Sequence, residues 1–336
     1  MKVLVTGGAG FIGSNFIRFL VRNHPDCDVI NLDKLTYAGN LENLSDLETV
    51  AQYRFVKGDI ADKKLVGRVF QEAPDAVVNF AAESHVDRSI LKADQFVKTN
   101  VLGIQVLLEC ARTAGTQRFI QVSTDEVYGS AASGETFSEE SSMHPNSPYA
   151  ASKAAADLLA RAYYHTYGFP VIITRCTNNY GPYQFPEKLL PLMITNALAD
   201  QPLPVYGDGY NVRDWIHVED HCAALDRVLH QGRLGEIYNI GSHCEKTNLE
   251  MVKELLGILN KPQSLVRFVK DRPGHDRRYA LNVSKIQREL GWRHQISLGD
   301  GLRQTVAWYS CHREWWERVK RGEYRKYYKK VYGRIS

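Results

Sequence analysis

Lys2-Val3-Leu4-Val5-Thr6-Gly7-Gly8-Ala9-Gly10-Phe11-Ile12-Gly13 (residues 2–13) decides the fold. Three apolar residues in a row read as a buried parallel strand. The glycines fit G-x-G-x-x-G from Gly8 and G-x-x-G-x-x-G from Gly7. They allow a tight turn and a close backbone approach to a pyrophosphate. Phe11 opens a helix whose apolar stripe is Ile12, Phe16, Phe19 and Leu20. The free N–H groups of its first turn attract an anion. Asp33 ends the next apolar run, 20 residues past Gly13. A carboxylate there accepts both adenosine ribose hydroxyls and repels a 2′-phosphate, so NAD is expected over NADP. The adjacent Lys34 leaves a small opening for NADP. The bland alternative is a structural glycine turn with an ordinary surface aspartate.

Outward from that unit the pattern repeats. Lys2–Thr6, Asp28–Leu32, Arg54–Lys57, Ala76–Phe80, Arg118–Thr124 and Pro170–Arg175 read as strands, most of them separated by helical stretches. The alternation predicts an α/β fold: a doubly wound parallel sheet of Rossmann type with helices on both faces. Past Tyr180-Gly181-Pro182 prolines and glycines multiply and the elements become mixed. Residues 1–177 are therefore expected to form the NAD-binding domain, with segments about 209–237 and 283–303 returning to it. Residues 178–336 are expected to form mainly a smaller, interleaved mixed α/β substrate-binding lobe.

The composition fits a globular chain: 44% hydrophobic and 24% charged among 336 residues, enough for a sizeable core without staples. Net charge is +4, but Arg313–Arg334 holds nine Lys/Arg against three Glu, so the remainder is slightly acidic. A generally basic, nucleic-acid-coating surface is not expected. No membrane span and no signal peptide are expected either. The six cysteines are scattered without a C-x-x-C pair, which suits reduced thiols in a cytoplasm. Of the eleven histidines only His217 and His221 stand at helical spacing, and no ligand set completes a site, so no metal is expected.

A second constellation follows the fifth strand. Ser123-Thr124-Asp125-Glu126-Val127-Tyr128-Gly129 lies at its end, and Tyr149-Ala150-Ala151-Ser152-Lys153 opens a helix 25 residues beyond Thr124. Tyr149 and Lys153, at i and i+4, share one helix face. The ammonium is expected to lower the phenol's pKa, giving a base for a sugar hydroxyl. Thr124 is placed to bond the same substrate oxygen, and Lys153 the nicotinamide ribose. Adjacent carboxylates suit elimination next to an oxidised carbon, one removing a C–H proton and the other protonating the departing hydroxyl. Both reach one substrate only if the strand ends or turns at Asp125; otherwise one or both are solvated loop acids.

With the glycine turn, this set resembles the extended short-chain dehydrogenase/reductase family. Within it, Thr124–Gly129, Ala81-Ala82-Glu83-Ser84-His85-Val86-Asp87-Arg88-Ser89, Asn178-Asn179-Tyr180-Gly181-Pro182-Tyr183 and Asp271–Tyr279 resemble the dTDP-glucose 4,6-dehydratases, from Met1 to about Tyr324. The resemblance implies a hydro-lyase with tightly bound NAD. It makes dTDP-4-keto-6-deoxyglucose by C4 oxidation, C5/C6 water elimination and hydride return to C6, in deoxysugar (for example rhamnose) biosynthesis. It assigns Tyr149 to the C4 hydroxyl proton, Glu126 to the C5 proton and Asp125 to the leaving C6 hydroxyl, with Thr124 and Lys153 beside them. Along the cofactor it implies Gly7, Gly10, Phe11, Ile12 and Gly13; Asp33, Lys34, Leu35 and Thr36; Asp59 and Ile60; Ala81, Ala82, Ser84, Thr99 and Asn179. Toward the substrate it implies Ser84, His85, Asn178, Glu187, Lys188, Leu189, Pro204, Val205, Tyr206, Arg213, Asn248, Arg272, His275 and Tyr279. Arg213 and Arg272 suit a diphosphate best, because guanidinium binds its oxygens bidentately. Each also adjoins an aspartate, Asp214 and Asp271, with which it can simply pair.

Two rivals are a sugar-nucleotide 4-epimerase, which needs Tyr149 and Lys153 but not both acids, and a non-catalytic NAD-sensing scaffold. A 4,6-dehydratase acting on a UDP-, CDP- or GDP-hexose also fits. Val101–Arg112 and Tyr149–Tyr167 carry apolar residues beyond one core stripe, among them Ala154, Ala155, Leu158, Leu159, Ala162 and Tyr163. They are expected to pair with their copies in a homodimer. The basic aromatic tail (Trp315, Trp316, Tyr324, Tyr327, Tyr328) reads as a terminal helix docked on the second lobe.

Overall fold

The computed structural model describes residues 1–321 and Tyr328. In chain order the strands are β1 (Lys2–Thr6), β2 (Asp28–Asp33), β3 (Tyr53–Lys57), β4 (Ala76–Asn79), β5 (Arg118–Thr124), β6 (Val171–Cys176), β7 (Asn178–Tyr180), β8 (Leu203–Tyr206), β9 (Val212–His217), β10 (Ile237–Ile240), β11 (Glu245–Thr247) and β12 (Val266–Val269). The helices are α1 (Phe11–Asn23), α2 (Lys63–Phe70), α3 (Val86–Leu91), α4 (Ala93–Phe96), α5 (Ile104–Ala114), α6 (Pro148–Tyr167), α7 (Leu189–Leu198), α8 (Val218–Gln231), α9 (Asn248–Ile258), α10 (Ser284–Leu290), α11 (Leu298–Cys311) and α12 (Arg313–Val319).

Seven strands form one parallel sheet in the order β10-β6-β5-β4-β1-β2-β3. Its central strands are apolar on both faces because both faces are covered. Phe16, Ile17 and Leu20 of α1 and Leu225, Val228 and Leu229 of α8 join the core on one face. Val66 of α2, Leu107 of α5 and Ala156 and Ala160 of α6 join the core on the other. This is the doubly wound α/β architecture expected from the alternation. The outer strand β10 arrives late in the chain, after β7, β8 and β9 have been laid down elsewhere.

A third core gathers α7, α9, α11 and α12 around β8, with Met193, Leu255, Leu302, Trp315 and Trp316 inside it. Two short sheets, β11-β9-β7 and β12-β8, edge this region. Trp315 and Trp316 are buried there, and Trp315 Nε1 donates to Asn43 Oδ1 at 3.0 Å. Tyr324 and Tyr327 lie outside the described residues. No helix among the described residues is long and apolar enough to cross a membrane.

Local signals set the elements that matter for the site. Ser147 caps α6 by accepting from Ala150 N at 3.1 Å, Pro148 fills its first turn, and Gly168 ends it at φ +64°. The helix α1 starts at Gly10 with no side chain on its first N–H groups and no acid in its first turn. Strand β5 ends at Thr124, and Asp125–Tyr128 turns at once into a single 3-10 turn capped by the Thr124 hydroxyl.

Candidate active site

A cleft of about 290 Å³ runs across the C-terminal ends of β1, β2, β4 and β5, where ligands of open α/β sheets bind. One end is built by the glycine turn. Gly7 holds φ +69°, and a Cβ on it would stand 2.6 Å from Ala81 N. Gly10, Phe11, Ile12 and Gly13 line this end beside the uncapped start of α1. Asp33 Oδ2 accepts from Ala9 N at 2.9 Å and Oδ1 from Leu35 N at 2.7 Å. Burial pushes the Asp33 carboxyl up, and these two bonds offset it. Each oxygen retains acceptor capacity. Leu35, held at φ +57°, contributes that backbone N–H and is absent from the lining. Lys34 reaches Asp59 at 2.8 Å, so its ammonium is committed to a carboxylate next to the cleft. Thr36, Ile60, Ala81, Ala82, Ser84 and Thr99 complete this wall.

The other end holds the reactive groups. The turn after β5 brings Thr124, Asp125 and Glu126 onto the same lining as Tyr149 and Lys153. Neither acid points into bulk solvent: Asp125 is 2% exposed and Glu126 half-buried. The Thr124 hydroxyl donates to Asp125 Oδ1 at 3.2 Å and accepts from Glu126 N at 3.3 Å. It also works to lower the Tyr149 pKa, against burial. Asp125 Oδ2 is buried with no partner among the described residues.

The two acids titrate apart. Burial first, then the Glu126 charge, raises Asp125 well above the carboxylate range. Burial raises Glu126 too, but Arg272, Lys188 and Arg213 pull it back. Such a divided pair is how one site holds an acid and a base together. Tyr149 departs from expectation. Its phenol is raised, by burial first and then by Glu126, Cys176 and Asp125. Lys153, itself buried and lowered by desolvation, donates to Val122 O at 2.7 Å. The resting phenol therefore keeps its proton.

Asn178 and Asn179 line the cleft from β7, with Asn179 Oδ1 2.8 Å from His221 Nδ1. Glu187 and Lys188 close it from the segment before α7. Lys188 Nζ donates to Ser84 O at 2.7 Å, and Glu187 pairs with Arg88 at 3.0 Å. His85 Nε2 is 3.9 Å from Glu187, and burial lowers its pKa to about 3.

A second opening of about 360 Å³ is lined by Asp87, Tyr206 and Arg272, among others. Neither arginine pairs with its sequence neighbour. Arg272 reaches Asp87 at 3.0 Å, while Asp271 takes His275 at 2.6 Å. Arg213 donates to the carbonyls of Val212 and Asp276 and lies 4.2 Å over the Tyr279 ring, while Asp214 takes Ser242 and Cys244. Asp87 and Asp276 are distant in sequence from the arginines they hold, which is why neighbour reasoning missed them. The Tyr206 hydroxyl donates to Asp87 Oδ2 at 2.9 Å. Burial, then Arg272, lowers His275 to about 4. Pro204 and Val205 are buried in β8, Leu189 packs against the third core, and Asn248 is buried at the start of α9; none lines either opening.

Sequence reasoning did not single out Glu83, Cys176, Gln184 or Phe185, which also line the cleft, or Asp87, which holds Arg272 and Tyr206. Glu83 and Asp87 stand in the Ala81–Ser89 run, the one signal that could have found them. The spaced pair His217/His221 is not a pair on one helix face, because His217 caps α8. Three other potential ligands do meet: His24, Asp226 and His230, where α1 and α8 end. Their rings stack at 4.7 Å with Asp226 bridging both, away from the cleft lining.

The chain matches the family model described as GDP-mannose 4,6 dehydratase over residues 4–305. It is 53% identical over 324 residues to a dTDP-glucose 4,6-dehydratase of Streptomyces niveus, covering 95% of this chain and 96% of that one. A solved dTDP-glucose 4,6-dehydratase of Streptomyces venezuelae, with NAD and a second ligand bound, superposes with a TM-score of 0.93 at 56% identity, covering 95% of this chain and all of that one. A UDP-glucose 4-epimerase of Thermus thermophilus, complexed with NAD, gives 0.86 at 32%, covering 93% of this chain and 100% of that one.

Proposed function

The chain belongs to the dTDP-glucose 4,6-dehydratases, and from that membership we propose how its own residues divide the work. It is an NAD-dependent hydro-lyase that converts dTDP-glucose to dTDP-4-keto-6-deoxyglucose. The cleft fits the cofactor on its own terms: only glycine suits position 7, the first turn of α1 is uncapped, and Asp33 lies where a ribose carboxylate partner belongs. Gly7, Gly10–Gly13 and Asp33 would hold the pyrophosphate and adenosine side. Thr36, Asp59, Ile60, Ala81, Ala82, Ser84 and Thr99 would follow its length, with Lys153 and Asn179 at the nicotinamide end. When bound, NAD supplies a two-electron acceptor for the C4 hydride and its donor to C6.

The protein's part is proton transfer and placement. Tyr149 Oη takes the C4 hydroxyl proton, with Thr124 bonded to the same oxygens and Lys153 one turn along the same face. Because the resting phenol is protonated, it first releases its own proton to solvent, and the phenolate then accepts the C4 hydroxyl proton as the C4–O bond gains double-bond character. The ketone acidifies C5–H, and Glu126 removes that proton. Asp125, kept protonated by burial and by Glu126, delivers its proton to the C6 hydroxyl as water leaves. Arg213 and Arg272 face the diphosphate, while Lys188, Asn178 and Glu187 orient the sugar.

One observation carries this reading: the 3-10 turn at Asp125 puts both acids on the Tyr149 cleft with their proton affinities split. An epimerase uses no such pair. Incubation with dTDP-glucose tests it: mass spectrometry should show loss of one water and a 4-keto product. Recovery of only an isomer of the same mass would overturn it, and a panel of UDP-, CDP- and GDP-hexoses fixes the base preference.

Residues 178–336, apart from the segments returning to the sheet, form the nucleotide-sugar lobe in this proposal. The protein acts as a homodimer through α5 and α6, in the cytoplasm, supplying deoxysugar synthesis such as that of rhamnose. Exposed Leu158 on α6 and Leu102 just before α5 support the dimer, and cysteines all free of disulfides suit the compartment.

A further inference from the structure

Below the cleft, a buried ion pair joins the elements that carry the chemistry. Arg175 Nε, on β6, donates to Asp157 Oδ2, on α6, at 2.9 Å, and the two side chains are 3% and 1% exposed. Asp157 lies four residues past Lys153, so both occupy one face of α6. That face meets β5, where Lys153 donates to Val122 O at 2.7 Å and the Ser123 hydroxyl helps to lower the Asp157 pKa against burial. The Arg175 guanidinium lies 4.7 Å over the ring of Tyr128, the last residue of the turn bearing Asp125 and Glu126. None of the steps above uses Asp157 or Arg175.

Two desolvated ions are an expensive way to brace a helix against a sheet, since well-packed apolar side chains do it as well or better. The pair is explained by a task that requires charge, and Lys153 supplies one. Its ammonium is buried with a neutral carbonyl as hydrogen-bond acceptor, and desolvation works to strip its proton. Opposing that are Asp157 on its own helix and Cys176 on β6. The Cys176 thiol is pushed up to about 12, so it stays neutral and carries no charge to help. Facing Tyr149, burial and then the Glu126 charge resist ionisation, neutral Asp125 and Cys176 bring no positive charge, and the Thr124 hydroxyl favours it. A positive Lys153 one turn away is therefore needed.

We propose that Asp157, held ionised by Arg175, is a positioning residue that keeps Lys153 cationic beneath Tyr149. This rests on the acid–base reading of Tyr149 and Lys153 given above. The test is the pH dependence of kcat/KM for dTDP-glucose, measured on NAD-loaded enzyme. Asp157→Asn alone strands Arg175, so it is measured together with the charge-free pair Asp157→Asn/Arg175→Met and the charge-keeping Asp157→Glu. The pair variant should fold and retain NAD, with its alkaline limb moved to lower pH by about one unit, while Asp157→Glu keeps the wild-type limb. A folded pair variant that is slower at every pH with its limb unmoved would overturn the proposal. So would a pair variant that does not fold, because the pair would then serve stability. Tyr149→Phe separates the two levels. If it turns over normally, the parent reading fails; if it is inactive and the limb stays fixed, only the role of Asp157 fails.

Discussion

Glu126 and Asp125 are adjacent in sequence yet carry opposite duties, and the difference lies in their surroundings. Three cations offset burial at Glu126, whereas Asp125 has the Glu126 charge added to its burial. Glu126→Gln should still allow cofactor reduction but abolish deuterium exchange at C5, with turnover down about 10²–10⁴-fold, the usual worth of a general base. Ordinary C5 exchange in that variant would remove Glu126 from its role. A carboxyl raised above its normal value keeps its proton to a higher pH and loses it as pH rises. Asp125 therefore predicts an alkaline limb for water loss, and Glu126 an acid limb that lies above the usual carboxylate range. In Asp125→Asn the alkaline limb should vanish and reduced nicotinamide should accumulate in single-turnover absorbance traces. These contiguous residues were legible in the sequence because function concentrates them in one run. The partners of the arginines were not: Asp87 and Arg272 are 185 positions apart, and only folding makes them neighbours. Nor was the direction of the Tyr149 shift, since the i+4 rule sees Lys153 but not the degree of desolvation.

At the level of elements, the glycine turn and α6 are the decisive pieces. Gly7→Ala places a Cβ against Ala81 N at a left-handed φ. It should cost about 1–3 kcal/mol and weaken NAD retention, read by thermal denaturation and by the nicotinamide content of the purified protein. Helix α6 was legible through the Tyr149/Lys153 spacing and its alanine-rich run to Tyr167, and the structure shows Ser147, Pro148 and Gly168 fixing its ends. Its outer face carries Ala151, Leu158 and Ala162, exposed among the described residues, and half-buried Ala155, with Leu158 53% exposed. Leu158→Lys should convert the proposed dimer to a monomer in analytical ultracentrifugation while leaving the melting profile of the monomer fold intact. An unchanged dimer mass would place the interface elsewhere. The short strands β7, β8, β11 and β12 escaped the sequence reading because three or four residues of mixed polarity carry no usable period.

For the molecule as a whole, six of the seven sheet strands were legible, the central ones because strands buried on both faces are almost wholly apolar. The docking of the C-terminal region depended on distant packing. Trp315 fills the third core, and its indole N–H ends on Asn43, whose amide donates to Ala9 O in the glycine turn at 3.0 Å. Trp315→Ala should destabilise the fold by about 3–5 kcal/mol and loosen NAD, measured by chemical denaturation with and without added cofactor. Loss of stability with NAD retention unchanged would break that link.

The late arrival of β10 also shapes how the chain is made. Its sheet neighbour β6 is finished at Cys176, but Ile237 leaves the ribosome only about 60 residues later, several seconds at about 5–20 residues per second. Throughout that interval the nascent sheet shows a bare, apolar edge to anything able to add a strand. Chaperone engagement should therefore peak on ribosome-stalled chains that stop between these two strands and fall once Ile240 has emerged.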